Sequence, residues 1–176
     1  MKRTLIASVL LAASFASSAM TLTSQDIQEG SRMADTYAFN GFGCSGDNLS
    51  PQLSWKDAPA GTKSFAITAY DPDAPTGSGW WHWVAVDIPT SVTSIEQGAS
   101  SKDFPAKQMK NDYGTTGFGG VCPPKAGGMH RYQFTVWALP TEKLELPQGA
   151  SNAIVGYMLN ANALDKATLT ATYVNE

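Results

Sequence analysis

The sequence predicts a mainly β protein with one helix near its C-terminus. Two observations carry this. The 16 glycines and 10 prolines are scattered rather than repeated, and they punctuate short apolar segments, as in a β domain with many turns. A single segment instead shows apolar residues at three- and four-residue spacing. In chain order, residues 64–70 (Ser-Phe-Ala-Ile-Thr-Ala-Tyr) are β-prone and stop at Asp71-Pro72. Residues 82–88 form a second strand candidate ended by Pro89, and residues 131–139 alternate up to Pro140. Residues 167–174 alternate almost strictly, which places Ala167, Leu169, Ala171 and Tyr173 on one face. Between the last two, Ile154, Tyr157, Met158, Ala161 and Leu164 trace a helical stripe, with Ser151 or Asn152 able to cap its start. Residues 24–33 read as a shorter amphipathic or turn-like piece.

The N-terminus has another character. Lys2-Arg3 precede an apolar run from Leu5 to Ala16, followed by Ser17-Ser18-Ala19. A basic tip, a short apolar core and a small-residue exit are the marks of a cleaved secretory signal over residues 1–19. The expected mature domain is then residues 20–176, one domain of a length ample for a packed core. Loss of Lys2 and Arg3 from 12 basic against 15 acidic residues takes the net charge from −3 to −5. No basic cluster remains, so the composition argues against a nucleic-acid partner, and no later apolar stretch reaches membrane-spanning length. The expectation is an exported, periplasmic protein, with secretion as the second choice. In such a compartment Cys44 and Cys122, the only cysteines, are candidates for a disulfide; two free buried thiols are the alternative.

The common catalytic and cofactor signatures are missing: no Gly-x-Ser-x-Gly elbow, no His-Glu-x-x-His, no Walker loop. Neither a cofactor nor a metal site is expected. Gly41-Phe-Gly43-Cys-Ser-Gly46 matches a dinucleotide fingerprint formally, but Asp47-Asn-Leu-Ser-Pro51 follows and breaks any helix, so it reads as a glycine-rich turn. Asn48-Leu-Ser50 is formally a glycosylation sequon. Two segments concentrate rare residues. Residues 71–83 hold Asp71, Asp73, three of the five tryptophans and His82; residues 119–132 hold Cys122, Pro123, Pro124, the other histidine (His130), Arg131 and Tyr132. Both are Pro- and Gly-rich loops that deliver a histidine to a strand, and loops on a rigid scaffold are where binding residues are commonly placed. A His/His/Asp/Tyr set offers N–H and O–H donors and a carboxylate to orient an imidazole, which suits capture of a phosphate or carboxylate. Each group also has an ordinary structural role: a hydrogen-bonded imidazole, Asp-Pro turn chemistry, tryptophan packing. Arg131, adjacent in a strand to His130 and Tyr132, should face away from them and pair with a nearby Asp.

Asp71-Pro-Asp-Ala-Pro75 with Trp and His82, then Pro-Pro and Gly-x-His130-Arg-Tyr132, resembles the two signature regions of the phosphatidylethanolamine-binding protein family. This family includes the Raf-kinase inhibitor proteins of animals and the flowering regulators of plants. Asn48-x-Ser-Pro51-x-Leu-x-Trp55 resembles its bacterial branch, and the signal resembles its periplasmic members. The resemblance implies an antiparallel β-sandwich of two sheets with a few short helices. It also implies an anion pocket lined by Asp71, His82, Cys122, Pro123, His130 and Tyr132. Two departures stand out: Cys122 replaces a glycine usual in eukaryotic members, and Trp83 stands where those often carry a second histidine.

The expected function is therefore that of an exported, non-enzymatic binding protein for a phosphate-like anion or phospholipid head group. The alternatives are a modulator acting on an unidentified protein partner, or a His/Asp-dependent hydrolase. The sequence leaves the oligomeric state, a homodimer included, open. If a carboxylate raises the histidine pKa above about 6.5, anion binding should strengthen as pH falls from about 7.5 to 5.5.

Overall fold

The structure, a computed structural model, describes residues 19–176. The signal-peptide reading, apart from Ala19, lies outside the described residues. Ten strands run in the order β1 (Thr21–Thr23), β2 (Asn40–Gly41), β3 (Cys44–Ser45), β4 (Leu53–Lys56), β5 (Ser64–Asp71), β6 (Trp80–Pro89), β7 (Ser94–Ile95), β8 (Lys107–Gln108), β9 (His130–Leu139) and β10 (Asp165–Tyr173). The helix α1 spans Asn152–Asn162, and two single 3-10 turns occupy Asp35–Tyr37 and Ala99–Ser101. The strands form a five-stranded sheet ordered β10-β9-β5-β6-β8, a three-stranded sheet β1-β4-β7, and the hairpin β2-β3. All pairings between these strands are antiparallel.

The four segments expected to be strands are the four long ones, and they sit side by side with β8 at the edge. Their inner face supplies Phe65, Ile67 and Ala69 from β5, Trp83 and Ala85 from β6, and Phe134 and Val136 from β9. Leu53 and Trp55 of β4 join the same core, so the smaller sheet covers one face of the larger. Ala167, Leu169, Ala171 and Tyr173 of β10 all point into it, as the alternation predicts. The short strands were illegible because two to four residues do not make a period. The Gly41–Gly46 segment is the β2-β3 hairpin and its flank, not a nucleotide loop, and residues 24–33 are turns and bends with one isolated bridge.

The helix forms where its pattern predicts, with the Ser151 hydroxyl accepting the Ile154 N–H at 3.3 Å, but it presents a different face. Val155, Gly156 and Leu159 are buried, whereas Ile154 and Tyr157 are exposed, Tyr157 to 72%. Apolar residues surround this helix on most sides, so spacing alone does not choose a face. The partner chooses: a second apolar cluster on the outer face of the large sheet (Ala66, Val84, Val86, Trp137, Leu139) receives Val155 and Leu159. Gly156 permits the approach, since a Cβ there would lie 2.6 Å from the Trp81 ring.

One irregularity positions the site. β6 pairs Trp83 with Ala69 and Trp81 with Tyr70, which leaves His82 as an extra residue. Such a bulge breaks strict alternation. Trp81 packs with the outer cluster while Trp83 joins the inner core, and His82 between them is also buried.

Candidate functional site

The antiparallel order β6-β5-β9 brings the last residue of β5, the first residues of β6 and the first residue of β9 to one end of the sheet. Asp71, Trp80, His82 and His130 meet there around a cavity of about 210 Å³. Cys122, Pro123 and Pro124 line it from the loop before β9, Phe42 from the hairpin tip, and Tyr113 from the segment after β8. Five of the six candidate residues (Asp71, His82, Cys122, Pro123 and His130) thus share one cavity. Tyr132 does not line it. It points the same way as His130, two residues deeper along β9, and its ring meets His82 edge-on at 5.1 Å, with the hydroxyl sealed from solvent.

The polar wall is built from side chains. His130 Nδ1 lies 2.8 Å from Asp71 Oδ2, with both groups buried. Asp71 Oδ1 accepts the Asp73 N–H at 2.8 Å, which closes the Asp-Pro-Asp turn. Asp73 then receives the Arg131 guanidinium through Nε at 2.9 Å and Nη2 at 2.7 Å, and the Arg131 backbone N–H at 2.9 Å. The two loops are therefore laced together by successive acid–base pairs. The bonds from Arg131 hold the Asp73 carboxyl down at about 2. Arg131 faces solvent beside its Asp, as strand alternation requires.

The opposite wall is built from backbone. His82 Nδ1 lies 2.8 Å from the Gly119 carbonyl and 3.0 Å from that of Gly120. Gly119 donates its N–H back to the His82 carbonyl at 2.8 Å. A side chain at 120 is excluded, because a Cβ would lie 2.4 Å from the Tyr37 carbonyl oxygen. Asn48 supports this segment from behind, accepting the Gly120 N–H at 2.7 Å. The sequon asparagine is thus a structural acceptor for the cavity wall. Cys44 and Cys122 form a disulfide, with their Cα atoms 6.0 Å apart; it ties the hairpin carrying Phe42 to the cavity rim. Tyr113 completes this wall. It stacks on Phe39 at 3.9 Å, meets Phe42, Trp80 and His82 edge-on, and donates its hydroxyl to the Gly120 carbonyl at 3.1 Å. Nothing in the local pattern of residues 111–115 marked Tyr113 as a cavity residue; only its place opposite His82 does.

These contacts decide the protonation geometry. A carbonyl oxygen only accepts, so His82 Nδ1 must carry the hydrogen. A carboxylate likewise accepts from His130 Nδ1. Both rings therefore turn Nε2 away from their anchors, and neither Nε2 has a hydrogen-bond partner among the described residues. Burial pushes the His82 pKa down, against the smaller upward pulls of the Gly119 carbonyl, Asp71, the Gly120 carbonyl and Asp112. This corrects the expectation that a neighbouring carboxylate raises it: desolvation dominates at a fully enclosed ring. Burial also lifts the phenols of Tyr113 and Tyr132 well above their ordinary value, so both stay neutral. No group of three or more His, Cys, Asp or Glu side chains placed to hold a metal ion occurs among the described residues. A larger groove of about 580 Å³ runs between the outer sheet face and α1, but no carboxylate or imidazole lines it.

A sandwich whose end cavity is framed by an Asp-Pro-Asp turn, two buried imidazoles and a Pro-Pro loop defines the class. Residues 23–174 match the model of the family described as phosphatidylethanolamine-binding protein. The chain is similar to the UPF0098 protein YbcL of Escherichia coli, 49% identical with 98% of each chain covered. It is also similar to the UPF0098 protein YbhB of the same species, 47% identical, with 88% of this chain and 99% of the relative covered. The crystal structure of YbcL, described as a new member of the mammalian family, superposes with a TM-score of 0.85, covering 90% of this chain and all of that one. The chain belongs to the phosphatidylethanolamine-binding protein family.

Proposed function

We propose that this chain is an exported binding protein, not an enzyme, whose end cavity captures a phosphate-like anion such as a free phosphate or the head group of a phospholipid. The observation that carries the reading is the convergence of His82 and His130 on one small cavity, each oriented by a fixed partner on Nδ1 and each leaving Nε2 uncommitted. At about 210 Å³ the cavity suits a small head group rather than a whole lipid. Its thiol and hydroxyl groups are engaged: Cys122 in the disulfide, the Thr76 hydroxyl on the Gly79 carbonyl, the Tyr113 hydroxyl on Gly120. This favours binding over covalent chemistry. NMR titration with inorganic phosphate and phosphoethanolamine at about pH 6 should shift the His82 and His130 ring signals; unchanged spectra at millimolar ligand would end the proposal.

Export rests on the N-terminal signal pattern and on a disulfide that suits an oxidising compartment. Cleavage after Ala19 would turn the Met20 N–H, 3.0 Å from an Asp165 carboxylate oxygen, into an ammonium beside that carboxylate. Intact mass of the protein from an envelope fraction should begin at Met20; an uncleaved cytosolic product would refute this. A protein partner acting at the same mouth is the second reading. It draws on Phe42, which lines the cavity yet leaves 74% of its surface in solvent.

A further inference from the structure

We propose that the groove between the outer face of the large sheet and α1 is a second binding site, and that it takes an unbranched, uncharged oligosaccharide. It is separate from the end cavity and independent of the anion reading.

Strand register builds the groove. On the outer face Thr68, Thr135 and Thr168 are cross-strand partners in one row, and Trp81, Tyr70 and Gln133 are partners in the next. The apolar part of the same face, with Ala66, Val84 and Val86, takes Val155 and Leu159 of α1. The threonine row is short and polar, and α1 meets it with Ala153, Gly156 and Asn160. Small side chains on the facing surfaces leave about 580 Å³ unfilled, a size common among small-molecule sites.

The walls are aromatic and already fixed. Tyr70 and Trp81 are half-buried, with ring centroids 4.6 Å apart and planes tilted by 45°. The Tyr70 hydroxyl donates to the Ser78 carbonyl at 2.9 Å, and Gly79 sits so close that a Cβ would lie 2.2 Å from the same hydroxyl. Trp81 abuts α1 at Gly156, and the next residue, Tyr157, stands largely in solvent at the edge of the groove. The Lys166 ammonium lies 4.5 Å from the Trp137 ring centroid and donates to Asn160 Oδ1 at 3.1 Å. Rings held in place before binding lose little freedom when a ligand arrives.

The lining selects the ligand. The face of an aromatic ring is electron-rich, so it attracts the weakly positive C–H hydrogens on the flat side of a pyranose. Sugar hydroxyls then need partners that the protein has not used. The Gln133 amide, the Tyr157 hydroxyl and the Trp81 indole N–H belong to lining residues, have no hydrogen-bond partner among the described residues, and are not sealed from solvent. A glutamine amide both donates and accepts, which suits two neighbouring hydroxyls. The only charged lining residue is Lys166, engaged as above, so an ionic ligand finds no free counter-charge. An acyl chain would bury the threonine and glutamine groups without replacing their contacts to water. Cleavage of a glycosidic bond uses a pair of carboxyl groups, and none lines the groove; the site holds a chain without cutting it.

NMR titration of the wild-type protein with cellohexaose, maltohexaose and N-acetylchitohexaose tests this, with decanoate as the apolar comparison. At least one hexasaccharide should saturably shift the Trp81 indole and Gln133 amide signals, while the His82 and His130 ring signals stay put and decanoate has no effect. Tyr157→Ala removes an exposed ring and leaves the packing intact; it and Gln133→Ala should each weaken sugar binding by about five- to tenfold. Silence of all three sugars at millimolar concentration overturns the proposal, as do shifts confined to the end cavity. Decanoate moving the same signals would assign an apolar chain instead. A wild-type dimer in sedimentation that Tyr157→Ala converts to a monomer would assign the face to a second copy, and either result overturns the sugar site.

Discussion

The two walls of the cavity reach the same end, a fixed imidazole, by opposite means. On the Asp71 side, His130 is held by charge: a buried carboxylate on its ring, with the exposed Asp73–Arg131 pair lacing the loops behind it. On the Gly119 side, His82 is held by neutral backbone carbonyls, and the wall behind is fastened by Asn48 and the disulfide. The first wall answers to protonation of carboxylates. The second answers to redox state and to desolvation. The comparison shows how one chain can orient two histidines identically, Nδ1 anchored and Nε2 free, while giving them different electrostatic surroundings.

The largest expected effect breaks the second wall alone. The Cys44–Cys122 bridge closes a loop of 79 residues, worth about 4 to 5 kcal/mol in the chain-entropy model. Cys44→Ser with Cys122→Ser should lower denaturant stability by that order, and reducing the wild type should do the same; a change within experimental error would show that the wall stands on its hydrogen bonds. Next comes the first wall. His130→Ala strands the buried Asp71 carboxylate with only the Asp73 N–H, and should cost about 3 to 5 kcal/mol, whereas Asp71→Asn with His130→Ala together should recover part of that loss. Additive losses in the double variant would mean that the two groups do not form a coupled pair.

The smallest effect separates the walls by pH. The folded pKa of His82 lies below its unfolded value, so the unfolded chain binds that proton more readily, and stability is lost as pH falls below about 6.5. Asp73 has a folded pKa of about 2, so its contribution, present above its unfolded pKa, is lost as pH falls from about 4 toward 2. Urea midpoints measured from pH 8 to 2 should fall in two steps. Arg131→Ala should remove the lower step and leave the upper one; loss of both would show that the walls are one unit.

Much of the fold was legible because long strands repeat. Residues 131–139 and 167–174 alternate, residues 64–70 and 82–88 are strand candidates stopped at a proline, and these became four of the five strands of the large sheet. The candidate site was legible as composition: the only two histidines sit in the two loops richest in proline and glycine. Arg131 was legible too, since alternation alone turns it away from its neighbours. Tyr113 carried no such mark, and the helix stripe pointed to the wrong face because a helix apolar on most sides has no preferred side until something packs against it.

The sequence by itself determined the β class, the helix with a cap at Ser151 or Asn152, the family, and which rare residues share a loop, since these follow from local periodicity and residue type. Only the tertiary structure decided that His82 turns inward beside Trp83, because a bulge is a mismatch between two strands and belongs to neither. It also decided that the Nδ1 hydrogens of both imidazoles are committed to Asp71, Gly119 and Gly120. A donor's availability depends on what stands opposite it, and residues 37 to 59 positions apart along the chain come to stand opposite one another only in the folded sheet.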